Sequence, residues 1–282
     1  MKSVTIATCI EQQQLQESDA VFAETLAARE CEVLAAPWNG DQAAFENADA
    51  VIIRSTWDYQ NSPQAFVAWF EALALKIPVF NSAQLIRRNM SKRYLLDLQT
   101  AGVAMPPLSL VVPTADSIAA GMDTLGLQVA VVKPEFGATS SGLSIVKRTD
   151  EAGLAKAAEK MAMPGLVQAL AAEIESIGET SFMFIDGVYT HAMTKKPKAG
   201  DIRCQAEFGG TVELASPPAH AIDDAARILA MMDETPLYAR IDGILLDEGL
   251  QLMEVELIEP ELFFTYCPEA AARLAAALIE RL

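Results

Sequence analysis

Short apolar, β-branched runs alternate with amphipathic stretches through the first hundred residues: "VTIATCI", "DAVFAETLAARE", "EVLAAPW", "AVIIRS", a helical pattern over 62–75, then "IPVF". That alternation predicts a parallel sheet with crossover helices. Ser62 and Pro63 supply an N-cap and a proline at N1 for the helix after Tyr59. "NSAQLIRRNMSKRYLLDLQTAG" reads as helical up to Gly102, and Pro106-Pro107 closes it, which sets a first domain at 1–105. "LSLVV", a short helix, "VAVVKPEFGATSSGLSIVKR" and a charged helix over 150–162 predict a small α+β subdomain at 106–167. The remainder, 168–282, reads as hairpins. Asp186-Gly187 is the turn of one, residues 247–249 the turn of another, and Pro268 opens a last helix.

Composition narrows the partners. The chain has 282 residues, 51% of them hydrophobic, and a net charge of −17, so it can bury a large core but shows no basic excess for coating nucleic acid or a membrane surface. A small-molecule partner is expected, with no nucleic acid and no membrane, and a homodimer is admitted. Cys9, Cys31, Cys204 and Cys267 form no C-x-x-C pair, and the first residues lack a signal-peptide core. Reduced thiols in a soluble, cytoplasmic protein are the expectation.

The stretch "LMEVELIEP" sets Glu254 and Glu256 at strand spacing in an otherwise apolar segment. With Asp247-Glu248-Gly249 as a three-residue loop, Leu246 pairs Leu250, Asp242 faces Glu254 and Arg240 faces Glu256. One face then reads Arg240, Asp242, Ile244, Leu246, Leu250, Leu252, Glu254, Glu256, apolar near the turn and charged only at the far end. A solvated face would be polar along its length. Two opposed carboxylates repel by about 4 kcal/mol at 4 Å and an effective dielectric near 20. Arg240 offsets one of them, and a hard divalent cation stabilises the rest, so Asp242, Glu254 and Glu256 are candidate Mg²⁺ ligands. Glu259, of opposite parity, reads as a bystander at the strand's exit.

"VVKPEFGATSSGL" places Lys133 before a Gly/Ser loop. Gly137 and Gly142 have Walker spacing, but Leu143 stands where the Walker lysine belongs, so this is no P-loop. Free backbone N–H groups in the loop can still close over phosphates while Lys133 supplies a point charge. Lys92, Lys195, Lys196, Lys198, Arg203 and Arg240 add cations in an acidic chain, which suits a nucleoside triphosphate with Mg²⁺. An exposed loop accounts equally for "KKPK" alone.

Lys92, "VVKP" before its loop, "GLVQAL…GETSF" and "ARIDGILL…LMEVELIEP" together resemble the ATP-grasp superfamily over nearly the whole chain. The likeness lies with the glutathione synthetase-like branch, and "RSTWDY" with "KPKAGDIRCQAEFGG" resembles the relatives that include D-cycloserine ligase. The resemblance implies a Rossmann-like N-terminal domain, a lid subdomain and a C-terminal subdomain with an antiparallel sheet. It implies that Lys92, placed on a helix, and Lys133 contact ATP phosphates, with Gly137, Ser140, Ser141 and Gly142 folding over them. Gln168 and Leu170 would border adenine, and Glu179 would hold the ribose. Asp242, Glu254 and Glu256 would bind Mg²⁺ or Mn²⁺, two ions, and the catalytic arginines Arg203 and Arg240 would neutralise phosphate. Many members carry Asn where Glu256 stands, so this chain adds a negative charge, and Ala169 replaces a frequent proline. The implied chemistry is activation of a carboxylate as acylphosphate for attack by an amine. A cyclising ligase, a small-molecule kinase and a non-catalytic nucleotide-binding domain are the alternatives.

"IIRSTWDYQ" follows a predicted strand at the carboxyl end, where open α/β sheets place ligands. Arg54 is a candidate carboxylate holder, and Trp57, Asp58 and Tyr59 offer an aromatic wall and a polar anchor; a helix-entry loop with Trp57 in the core is the competing reading. His191 and His220 lack metal or catalytic spacing, and His191 reads as a strand residue near the cleft.

Overall fold

The β-branched runs of the N-terminal third form a four-stranded parallel sheet: β1 (Lys2–Thr8), β2 (Cys31–Pro37), β3 (Ala50–Ser55) and β4 (Val79–Phe80), in the order β2-β1-β3-β4. These strands belong to a computed structural model that describes residues 1–137, 142–198 and 209–282. The crossovers carry α1 (Glu17–Ala27), α2 (Ala43–Glu46) and α3 (Pro63–Ala74), the last with Pro63 in its first turn.

The long helical pattern that follows is two helices, α4 (Ala83–Met90) and α5 (Tyr94–Thr100). Ser91 leaves the helix with extended dihedrals, and its hydroxyl and the Arg93 Nε both donate to Glu135 Oε1, at 2.6 and 2.9 Å. Lys92 therefore sits in the break between helices, not on a helix, because Glu135 captures the residues on either side of it.

The second sheet is antiparallel, ordered β5 (Leu108–Val111), β8 (Gly165–Ala169), β6 (Val129–Pro134), β7 (Ser144–Lys147). Helices α6 (Ala115–Leu125) and α7 (Glu151–Glu159) cover one face, packing on Val111, Ala130, Val132, Val146 and Val167. Gly165 is required where β8 meets β6: a Cβ there would lie 2.4 Å from the Lys133 carbonyl.

The third sheet is antiparallel, ordered β11 (Thr211–Ala215), β10 (Val188–Lys196), β9 (Glu179–Ile185), β12 (Tyr238–Leu246), β13 (Gly249–Glu256). Ile185 pairs with Val188 across Asp186-Gly187, both at positive φ, which is the two-residue hairpin turn expected from Asp-Gly. Helix α8 (Ala219–Leu229) buries one face of the sheet through Ala221, Ala225 and Ile228. On the other face Met183, Ile185, Met193 and Tyr238 meet Val4, Ile6 and Ile52 of the first sheet, with α1 and the terminal helix α9 (Pro268–Ile279) in the same core. That face is apolar where the N-terminal sheet packs near it and charged beyond.

The β12–β13 hairpin departs from its expected turn. Leu246 pairs with Gly249, not Leu250, so the loop has two residues, and the register shifts between Asp242 and Gly243. The bulge at Met253 absorbs the residue assigned to the turn, and Arg240↔Glu256 and Asp242↔Glu254 stand as expected. Between turn and bulge the faces are exchanged. Leu250 and Leu252 lie in the core with Ile241 and Val255, whereas Met253 packs beside Ile244 and Leu246.

Candidate functional site

The charged end of this sheet face assembles side chains from four strands and the α4–α5 break. Asp242, 2% exposed, accepts from Ser181 Oγ at 2.5 Å, from Arg240 Nε and Nη2 at 2.9 Å each, and from Lys195 Nζ at 3.2 Å. Lys195 Nζ also reaches Glu179 Oε2 at 2.6 Å. Arg240 pairs further with Glu256, and Lys92 pairs with Glu254. Ser91 to Arg93 are pinned to Glu135, and the Lys92 amide donates to the Glu135 carbonyl at 2.9 Å. One residue thus ties Lys92 to the strand that ends in Lys133-Pro134.

The carboxylates outnumber the cations that neutralise them. Burial opposes charge on Asp242 and Glu254, yet Arg240 and Lys195 hold Asp242 well below the usual carboxylate range, and Lys92 with Lys133 holds Glu254 below it. Burial raises Glu256 to about 7, with Asp242 and Glu254 adding to Arg240's failure to offset it. Glu259 rises to about 8 through burial and then Glu256. Burial also raises Glu179 against the pull of Lys195. Lys133 falls to about 8 because burial outweighs the attraction of Glu254.

Glu259 is therefore part of this cluster electrostatically and not a bystander. The signal that could have found it is its place close after Glu256 in an otherwise apolar strand exit, where a partly buried acid needs a reason.

Among the described residues no three His, Cys, Asp or Glu side chains are gathered for a metal ion; Asp242, Glu254 and Glu256 are turned onto Arg240 and Lys92. The donor set nevertheless fits a hard divalent cation. It is all carboxylate oxygen, Asp242 is buried and Glu254 and Glu256 partly so, and Glu256 and the nearby Glu259 are raised by desolvation and by the neighbouring acids.

Lys133, next to last in β6, has its side chain on the sheet face opposite α6 and α7, where Val131 pairs with both Ile145 and Gln168. Ile145 is half exposed there. Gln168 is buried and its Nε2 donates to the Pro106 carbonyl at 3.2 Å; Leu170, just beyond β8, is partly buried. Gly142 adopts φ +77°, and a Cβ would meet Pro134 Cγ at 3.0 Å, so Gly142 itself packs tightly on the end of β6. Ser140, Ser141 and Arg203 lie outside the described residues.

At the first sheet, Arg54 is 2% exposed. Its Nε donates to Asp19 Oδ1 at 2.8 Å and its Nη2 to the Pro260 carbonyl at 2.7 Å, over the ring of Tyr238. Its Nη1 has no partner among the described residues, as is true of the Thr8 and Thr56 hydroxyls at the same strand ends. Asp58 accepts from Trp38 Nε1 and Asn39 Nδ2, both at 2.6 Å, and Tyr59 stacks on Phe66 with centroids 5.1 Å apart. Asp58 and Tyr59 thus serve the N-terminal core, whereas Trp57, partly buried, reaches across to the segment after β13.

That segment is held carbonyl by carbonyl. Leu257 O accepts from Asn81, Ile258 O from Tyr238, Glu259 O from Trp57, Pro260 O from Arg54, Glu261 O from Arg240 and Leu262 O from His191. His191 is a buried strand residue whose imidazole is lowered by desolvation, so it donates through Nε2 as the neutral form. The chain between the carboxylate strand and α9 is therefore fixed by side chains from six places in the sequence.

Residues 4–81 match the family model described as the N-terminal domain of D-cycloserine synthetase DcsG. The cycloserine biosynthesis protein DcsG of Streptomyces lavendulae is 28% identical over 260 residues, 87% of each chain. The crystal structure of D-cycloserine synthetase DcsG superposes with a TM-score of 0.87 at 23% identity, covering 99% of both chains. The D-alanine–D-alanine ligase of Bacillus anthracis complexed with ATP gives 0.68 at 18% identity, covering 99% of this chain and 97% of that one. A parallel N-terminal sheet, an antiparallel sheet backed by two helices and an antiparallel sheet carrying the carboxylates are thus the parts of one architecture, and the chain has the ATP-grasp ligase fold.

Proposed function

We propose that the protein is an ATP- and Mg²⁺-dependent ligase that activates a carboxylate of a small amino-acid-like substrate as acylphosphate for attack by an amine, forming a C–N bond. One observation carries the reading: Lys92, Lys133, Arg240 and the acids Asp242, Glu254 and Glu256 converge at one end of a sheet face, with electrostatics that leave Glu256 raised to about 7.

In this reading residues 1–105 form the N-terminal domain, 106–167 the lid and 168–282 the metal-bearing unit. Asp242, Glu254 and Glu256 hold the divalent cation, which neutralises phosphate charge when bound. Lys92 and Lys133 position the phosphates, Arg240 and Arg203 meet the charge developing on the transferred phosphoryl group, and Gly137, Ser140, Ser141 and Gly142 close over it. Gln168 and Leu170 border adenine on the apolar face shared with Val131 and Ile145, and Glu179 accepts from the ribose hydroxyls. Closure excludes water from the acylphosphate, which would otherwise hydrolyse. No nucleophilic side chain is needed. Arg54, through its unpartnered Nη1, and Trp57 face the substrate end.

The likeness to DcsG over 87% of the chain favours a second reading, in which carboxylate and amine belong to one molecule and the product is a ring. Incubation with Mg²⁺-ATP and pooled amino acids, dipeptides and amine-bearing amino-acid derivatives, with phosphate release measured, tests both. Mass spectrometry separates the outcomes: a product lighter than its substrates by one water is ligated or cyclised, one heavier by a phosphoryl group marks a kinase, and no stimulation by any pool rejects the proposal.

A further inference from the structure

We propose that Lys195 is an internal counter-ion that keeps the metal site closed until nucleotide arrives. This rests on the assignments of Glu179 to ribose and Asp242 to metal made above.

Lys195, next to last in β10, is directly paired in register with Glu179. It is 8% exposed, and its ammonium bridges Glu179 Oε2 at 2.6 Å and Asp242 Oδ2 at 3.2 Å. The two acids belong to different ligands. Arg240 is fixed from several sides, bound to Asp242, Glu256 and the Glu261 carbonyl, and its planar fork suits a permanent strut. Lys195 is different: a point charge on a flexible stem, bound among the described residues only to groups that ligands would claim.

A divalent cation arriving alone must displace this ammonium from Asp242, leaving it held by Glu179 alone among the described residues and close to the incoming charge, and like charges at close range in a buried site repel strongly. Nucleotide changes the balance at both ends. Ribose hydroxyls take over Glu179, and phosphates offer Lys195 an anion to follow. Metal and nucleotide binding are thereby coupled, each strengthening the other by the same factor. Lys195 is a positioning residue, acting through Asp242 and Glu179.

The test is Mn²⁺ binding by the full chain without nucleotide, read from the free-ion electron paramagnetic resonance signal. Lys195→Met should bind Mn²⁺ at least about tenfold more tightly than wild type, whereas Lys195→Arg, which keeps the charge, should bind as weakly as wild type. Glu179→Gln leaves Asp242 as the sole carboxylate for Lys195 and should weaken Mn²⁺ binding. Opposite shifts in Lys195→Met and Glu179→Gln exclude general loosening of the site, which would move both the same way. If Lys195→Met does not fold, Glu179→Gln and Lys195→Arg carry the test. Unchanged Mn²⁺ affinity in Lys195→Met, or tighter binding in Glu179→Gln, overturns the proposal. Wild type is also titrated with Mn²⁺ and ATP together: failure to bind the pair overturns the functional reading itself, and tight binding with no effect of Lys195→Met rejects the counter-ion alone.

Discussion

Lys92 and Glu254, 162 positions apart, are joined in an ion pair that links the α4–α5 break to the carboxylate strand. The residues proposed above for phosphate and for metal thus neutralise each other in the ligand-free chain. Glu254→Gln retains the shape and one hydrogen-bond acceptor for Lys92 but loses the charge. Mg²⁺-dependent phosphate release should fall by at least about a hundredfold, with the melting temperature within a few degrees of wild type. Near-wild-type turnover would remove Glu254 from the metal set.

Lys133 carries a stability penalty from desolvation of its ammonium. Its folded pKa is about 8 against 10.5 for a free lysine, chiefly through burial. Below pH 8 both folded and unfolded chains hold the proton and the folded state bears the full penalty; between pH 8 and 10.5 only the unfolded chain holds it, so stability rises with pH. Lys133→Met should therefore be more stable than the ligand-free wild type at pH 7, by on the order of 2 kcal/mol, with the difference shrinking towards pH 10.5. ATP binding should be lost in the same variant. Chemical unfolding at pH 7 and pH 10 checks the first part.

Glu259 makes the converse prediction. Its pKa of about 8 exceeds the ordinary 4.5 because burial and Glu256 disfavour its charge. The folded chain holds that proton more tightly, so the penalty is full above pH 8 and disappears as pH falls towards 4.5. Glu259→Gln should stabilise the ligand-free protein at pH 9 by about 1–2 kcal/mol and leave it unchanged at pH 4.5. Equal effects at both pH values would place the carboxyl outside the cluster.

Asn81 joins the first sheet to the third. Its Nδ2 donates to the Tyr238 and Leu257 carbonyls at 2.8 Å each, and its Oδ1 accepts from the Leu237 amide at 2.7 Å, all in the interior. Asn81→Ala leaves these backbone groups buried without partners and should cost about 3 kcal/mol or more. Loss of melting temperature should be accompanied by reduced turnover, since β12 and the segment after β13 lose a shared anchor. Asn81→Asp, which keeps the acceptor but sets a carboxylate oxygen against the two carbonyls, should cost at least as much as Ala.

Much of the architecture is legible in local pattern. Alternating β-branched and amphipathic runs imply the parallel sheet, Asp186-Gly187 a two-residue hairpin turn of the third sheet, and the acids at 254 and 256 their partners at 242 and 240. The pairing survives a mistaken turn because the residue count between Asp242 and Glu254 sets it, wherever the extra residue sits. What local pattern does not reveal is contact over long separation. The break at Lys92 depends on Glu135, the bridge from Lys195 depends on two other strands, and the burial of Glu259 depends on the packing of a whole segment. Arg54 shows the same limit: it precedes a loop suited to ligands, yet Asp19 and the Pro260 carbonyl engage most of its guanidinium.

The bulge at Met253 also bears on how this hairpin tolerates insertion and deletion. Removing Met253 would leave a regular ladder running from the two-residue turn through Gly243↔Leu252 into Asp242↔Glu254, and moving the surplus residue into the turn would meet the same pairs. The stretch between turn and acids can therefore lose a residue, or shift one, while Arg240, Asp242, Glu254 and Glu256 stay opposite one another. A lineage carrying this hairpin is free to vary in length there without relocating its charges.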